Sequence, residues 1–165
     1  MDFMEGLPPS SSFNVLRVVA DKFSKFSHFV PLKHPFTAAT VAKLFIDQVY
    51  RLRGMPKVII SDRDRIFTRK LWQLLFKSAG SELRFSCSYH PQTDGQTEQV
   101  NQCIETFFRC FVHTCPSSWS HWISVAEYWF NTFTHSALGR SPFEVLYGFP
   151  PRHLGYDLAD AALVP

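Results

Sequence analysis

With 165 residues, 45% of them hydrophobic and 16% aromatic, the chain is one domain's worth of sequence able to bury a sizeable core, and it is not a chain disordered along its length. The 17 Phe point to a core filled by large rings. A net charge of +3 is compatible with nucleic acid without demanding it, and the absence of a signal peptide, long apolar stretch or lipidation motif leaves no membrane partner to expect.

In chain order, residues 1 to 4 read as the stub of a strand, and Pro8 to Ser12 as a turn. Asn14 to Ala20 is rich in β-branched residues and predicts a strand. Asp21 to Lys25 turns the chain, and Phe26 to Leu32 returns it as the second arm of an antiparallel hairpin. Thr37 caps a helix running to about Arg53, with Val41, Leu44, Phe45, Val49 and Leu52 on its apolar side and Gly54 ending it. A strand comes next at 57 to 61, then a helix from about Arg69 to Ala79 burying Leu71, Leu74 and Leu75, then a short strand from Leu83 to Cys87. His90-Pro91 breaks the chain before a helix in which Thr93 and Gln96 form a capping box. Val100, Ile104, Phe107 and Phe111 make the apolar stripe of that helix, which runs to about Thr114. Ser117 or Ser118 opens another, with Trp119, Trp122, Ile123, Ala126 and Phe130 on one side, and Pro142 to Tyr147 is a last helical turn or two. Cys87, Cys103, Cys110 and Cys115 lack zinc spacing even with His113 among them, so buried reduced thiols are expected.

Two acids stand at positions suited to chemistry. Glu98 lies on the polar face of its helix, opposite the apolar stripe, in the first turns beside a polar loop. Alone it reads more readily as a solvated side chain than as a ligand. Asp62 ends the apolar run Lys57-Val58-Ile59-Ile60-Ser61, at the carboxyl end of a buried strand, where open α/β sheets tend to place function. Counting 98 − 62 = 36 positions, 35 residues separate the two. Asp2 offers a third acid.

These residues carry a resemblance. Met1-Asp2-Phe3 with Glu5-Gly6-Leu7-Pro8, Ala20-Asp21-Lys22-Phe23-Ser24-Lys25, Phe29-Val30-Pro31-Leu32-Lys33, Ser61-Asp62-Arg63-Asp64-Arg65-Ile66-Phe67 and the run from Tyr89 through Asn101 are similar to the catalytic core of retroviral and retrotransposon integrases, most of all to long-terminal-repeat elements of the Ty3/gypsy type. Ser141-Pro142-Phe143-Glu144 with Tyr147-Gly148 extends the match, and 35 residues between second and third acids is that family's spacing.

The resemblance implies an α/β, ribonuclease-H-like fold: a mixed five-stranded sheet flanked by helices, with the first strand central and here truncated just before Asp2. Residues 1–152 would be the core and 153–165 a loose C-terminal tail. It implies that Asp2, Asp62 and Glu98 are the catalytic residues and the metal ligands, Asp2 bridging two ions, Asp62 holding one and Glu98 the other. Three gathered carboxylates repel one another unless a cation neutralises them, and oxygen ligands suit Mg²⁺ or Mn²⁺. Two such ions about 3.5–4 Å apart serve in-line displacement at phosphorus. The implied reactions are endonucleolytic trimming of the 3′ ends of element DNA and their transfer into target DNA. The implied partners are those two DNAs and further copies of the chain, a homodimer or higher. The implied location is the nucleus, with a cytoplasmic stage before import.

His90, Gln92 and Asn101 are the candidate nucleic-acid contacts, though Pro91 beside His90 favours reading that residue as a loop strut. Lys22, Lys25, Lys33, Arg63, Arg65, Arg69 and Lys70 are available for phosphates. Asp21 is expected to serve its own turn, Asp64 to pair locally and Asp94 to belong to the helix start. Two rival readings share the fold: a catalytically inactive integrase-derived module that binds nucleic acid or protein, and a nuclease of RNA–DNA hybrids, against which the loop at 89 to 98 speaks.

Overall fold

A computed structural model of the chain describes residues 1–61, 65–85 and 91–153, the side chains of residues 65 and 91–97 excepted. β1 (Asp2–Met4), β2 (Val15–Ala20) and β3 (Ser27–Leu32) form an antiparallel sheet in that order, with Asp2 opposite Val18 and Val18 opposite Phe29. β4 (Val58–Ser61) pairs in parallel with β5 (Glu82–Phe85). The expected strands are all present, though among the described residues they make two ladders rather than one. The Met1 nitrogen joins them by donating to Ile60 O at 2.8 Å, which lays the start of β1 beside the end of β4.

Helices cover both faces, so strands such as Val15–Ala20 read as nearly continuous apolar runs. On one face, Met4, Leu16, Val18 and Phe29 pack against α5 (Pro91–Phe111), a 3₁₀ stretch at Pro116–Trp122 and α6 (Ile123–Thr132). On the other, α1 (Ala38–Phe45) and α4 (Lys70–Ser78) bury Val41, Phe45, Trp72 and Phe76 against Ile59, Phe67 and Phe3. Period-two alternation therefore sends Asp2 and Met4 to the α5 face and Phe3 to the other, where its ring stacks on Phe67.

Fully buried in that second face is Arg17, whose Nη1 donates to Val41 O at 2.9 Å and whose guanidinium lies 5.4 Å from the Phe45 ring centre and 5.3 Å from that of Trp72. Burial pulls its pKa down to about 9, which leaves it cationic at neutral pH. The exposed edge of β3 is closed by α6: Asn131 accepts from Ser27 N and donates to Ser27 O, both at 2.8 Å, and Glu127 accepts from Phe29 N at 2.8 Å. Two side chains thus stand in for a neighbouring strand.

Several helix faces depart from the sequence reading. Thr37 caps α1 as expected, but the chain then passes through a π-turn at Ile46–Tyr50 before α2 (Arg51–Arg53). The wider turn rotates the residues beyond it about the helix axis, and Leu52 is exposed rather than packed. In α4 the buried residues are Trp72 and Phe76, with Leu71 and Leu74 exposed, because the two rings fill the space around Phe45 and Phe67 better than leucines. A short α3 (Arg65–Thr68) precedes it. Helix α5 starts at Pro91, the position where a missing N–H costs nothing, so Thr93 is inside the helix and is not its cap. At its far end Val112 turns inward and Phe111 is exposed, stacked on Phe107. Trp122 is likewise partly exposed, since the stretch before α6 is 3₁₀ and advances three residues per turn. The capping box forms instead at Ser141 and Glu144, opening α7 (Pro142–Tyr147). Cys103 is half-buried and Cys110 and Cys115 are exposed, against the expectation of buried thiols. Cys87 and residues 154–165 of the expected tail lie outside the described residues.

Candidate active site

The site begins with Asp2, set by the register of β1 on the face that α5 covers. Its Oδ1 accepts from the Phe3 backbone N–H at 2.8 Å, and its Oδ2 accepts from Asn101 Nδ2 at 2.8 Å. Asn101 is on α5, three residues after Glu98 and so one turn along the same side of the helix. The buried stripe Val100, Ile104 and Phe107 locks α5 onto the sheet, and that docking carries Asn101 to Asp2. Glu98, a turn earlier, is exposed. From the other side, the Met1–Ile60 bond brings the end of β4 alongside; Ser61 is its last residue, and Asp62 comes directly after it but lies outside the described residues.

Asp2 and Glu98 are hard oxygen donors, and among the described residues neither forms a salt bridge, so their charge is left for another cation. Each Asp2 oxygen accepts one N–H and keeps a further lone pair. Asn101 Oδ1 is buried there without a hydrogen-bond partner among the described residues, a polar atom that a water or hydrated ion would satisfy. The donor set therefore fits a hard divalent cation such as Mg²⁺. Among the described residues no three His, Cys, Asp or Glu side chains gather about one point, Asp62 not being one of them.

Of the other candidates, His90 and Asp64 lie outside the described residues, and Gln92 and Asp94 are described only as helical backbone of α5. Asn101, read from the sequence as a DNA contact, has its amide nitrogen on Asp2. Nothing in the sequence pairs it with Asp2; the usable signal is the three-residue spacing from Glu98 on a helical period. Asp21 serves its turn, accepting from Ser24 N and Ser24 Oγ, both at 2.7 Å. A cavity of about 270 Å³ between Leu7, Phe108, Val112 and Trp119 is apolar and lies toward the far end of α5 from Glu98. No helix among the described residues is long and apolar enough to cross a membrane.

Comparison with known proteins agrees with this geometry. No protein-family model matches the chain. The Transposon Tf2-3 polyprotein of Schizosaccharomyces pombe (strain 972 / ATCC 24843) is 41% identical over 151 residues, covering 92% of the chain, and the Tf2-4 polyprotein gives the same figures. The chain spans only 11% of the length of those polyproteins. Among solved structures, the HTLV-2 integrase catalytic core domain in complex with magnesium superposes with a TM-score of 0.68 at 18% identity, covering 87% of this chain and 93% of that one. A simian T-cell lymphotropic virus intasome, in complex with PP2A regulatory subunit B56 gamma, superposes with a TM-score of 0.72 at 17% identity, covering 91% of this chain and 59% of that one. The chain is thus a homologue of one segment of the Ty3/gypsy-type Tf2 transposon polyproteins and has the ribonuclease-H-like fold of the retroviral integrase catalytic cores.

Proposed function

We propose that this domain is an integrase catalytic core that processes and transfers the 3′ ends of retrotransposon DNA, with Asp2, Asp62 and Glu98 as its catalytic carboxylates. The observation that carries the reading is the Asn101–Asp2 hydrogen bond, because it ties the helix that bears Glu98 to the strand that bears Asp2. The Met1–Ile60 bond supports it from the side of β4, whose next residue is Asp62. The magnesium of the HTLV-2 core supports the metal assignment by likeness of fold.

Asp2, Asp62 and Glu98 would hold two Mg²⁺ or Mn²⁺ ions. When bound, such ions supply activation of an attacking water or 3′ hydroxyl and stabilisation of the leaving oxygen at phosphorus. The protein's own part is positional. Asn101 holds Asp2 in one orientation, and the Phe3 N–H bond limits its rotation further. The buried stripe of α5 fixes where Glu98 emerges, while the exposure of Glu98 leaves the DNA side open. His90 and Gln92 would meet the DNA beside that opening, residues 1–152 would form the working unit, and assembly would be with further copies of the chain, as in the dimeric and trimeric forms of the HTLV-2 core.

The test is strand transfer on a branched DNA substrate with Mn²⁺, comparing wild type with Asp62→Asn and Glu98→Gln. Product from the wild type and none from either variant is the expected result. A folded wild type that binds the substrate and yields no product rejects catalysis in favour of the inactive binding module.

A further inference from the structure

The β2–β3 turn holds one aromatic ring out in solvent. Phe23 is 84% exposed, the most exposed large apolar residue among those described. A loose turn would display a ring by accident, but this one is rigid. Asp21 Oδ2 accepts from both Ser24 N and Ser24 Oγ at 2.7 Å, and Asp21 N donates to Phe26 O at 2.8 Å. Lys25 takes a φ of 62° to close the turn, and its Nζ donates to the Lys22 carbonyl at 2.9 Å, which holds the charge over the tip. Below the tip, the Arg53 guanidinium sits 4.5 Å from the Phe26 ring centre and 5.2 Å from that of Tyr147, while Asn131 clamps Ser27. The backbone that carries the ring is therefore ordered before contact, which leaves the side chain's own rotamer freedom as the entropy still to lose.

Its surroundings indicate what it meets. A protein interface core needs a contiguous apolar patch, whereas the chain neighbours of Phe23 are Lys22 and Ser24, with Lys25 one further on. One exposed ring set between two lysines in the chain matches a base face between phosphates. The placement is apt as well. Asp2 pairs with Val18, and the turn begins at Asp21, three residues on, or roughly 10 Å along the strand at about 3.3 Å per residue.

We propose that the tip is a single-stranded DNA contact, in which Phe23 stacks on an unpaired base while Lys22 and Lys25 engage the adjoining phosphates. This rests on the integrase reading for its choice of DNA over RNA, but it can be tested without catalysis. Binding of a fluorescein-labelled single-stranded oligodeoxynucleotide, and of the blunt duplex of the same sequence, is measured by anisotropy without divalent metal. Phe23→Ala should weaken the single strand about tenfold or more and the duplex much less, while Phe23→Trp retains binding. Lys22→Ala should reduce the salt dependence of log K for the single strand by about 0.7. As the ring is 84% exposed, the melting temperature of Phe23→Ala should match wild type. Equal single-strand affinity of wild type and Phe23→Ala overturns the proposal. So does a variant that binds DNA normally but loses self-association in sedimentation velocity, which assigns the ring to a protein contact. A chain inactive in strand transfer whose Phe23→Ala variant loses single-strand affinity rejects the catalytic reading and upholds this one; an active chain with unchanged binding does the reverse.

Discussion

Asn101 and Arg17 are two polar side chains that the fold takes out of water for different ends. Asn101 Nδ2 holds a carboxylate, and partners that orient a metal ligand are typically worth about 10–100-fold in activity or metal affinity. Asn101→Ala is therefore expected to lower strand transfer by about that factor and to raise the Mn²⁺ concentration giving half-maximal rate, while folding stability falls by no more than about 3 kcal/mol. Rates titrated against Mn²⁺, with urea unfolding as the control, check both; unchanged metal dependence would leave Asn101 merely structural. Arg17 holds no carboxylate. It donates to a carbonyl and lies over two rings, and burial lowers its pKa. Neither residue could be placed by inspection of its neighbours in the chain. Asn101 reads as a polar helix residue available to DNA, and nothing in the run Asn14–Ala20 marks what Arg17 meets, because the partner lies 99 positions away in the first case and 24 in the second.

At the scale of elements, the edge of β3 depends on α6. Asn131 satisfies both the N–H and the carbonyl of Ser27, so Asn131→Ala leaves two buried backbone groups unpaired and is expected to cost about 2–4 kcal/mol, read by urea denaturation. A loss under about 1 kcal/mol would mean that water reaches this edge. The cap of α7 carries a pH signature. Glu144 accepts from Ser141 N at 3.0 Å and Ser141 Oγ at 2.8 Å, and with Arg140 adding a weaker attraction its pKa lies below the ordinary carboxylate value. The unfolded chain takes up this proton first on acidification. The stability contributed is thus complete above the ordinary glutamate pKa and is lost as pH falls through the depressed folded value. Ser141→Ala should cost about 1 kcal/mol at neutral pH, and NMR titration should then find the Glu144 pKa moved up toward normal. Helix termini such as Thr37 and Gly54 were legible because capping is local chemistry. Which face a helix buries was less so: Trp72 and Phe76 displaced the leucines once the rings of Phe45 and Phe67 stood opposite.

For the molecule as a whole, the proposed site would gather three carboxylates, whose mutual repulsion a cation would relieve. Mn²⁺ at ten times its dissociation constant is expected to stabilise the wild-type fold by about 1.4 kcal/mol, a shift of a few degrees in a thermal melt. Asp62→Asn should melt higher than wild type without metal and gain nothing when Mn²⁺ is added. If both proteins respond alike, the acids do not share an ion. The alternation of β-branched residues, the glycine and threonine helix ends and the spacing of Asp62 and Glu98 were all written along the chain, since each depends on residues a few positions apart or on a pattern carried over whole from relatives. The join of β1 to β4 through Met1, the Asn101 grip on Asp2 and the closure of β3 by α6 were not. These arise where segments distant in sequence compete for the same volume and the same hydrogen bonds, and that competition is resolved by packing in three dimensions.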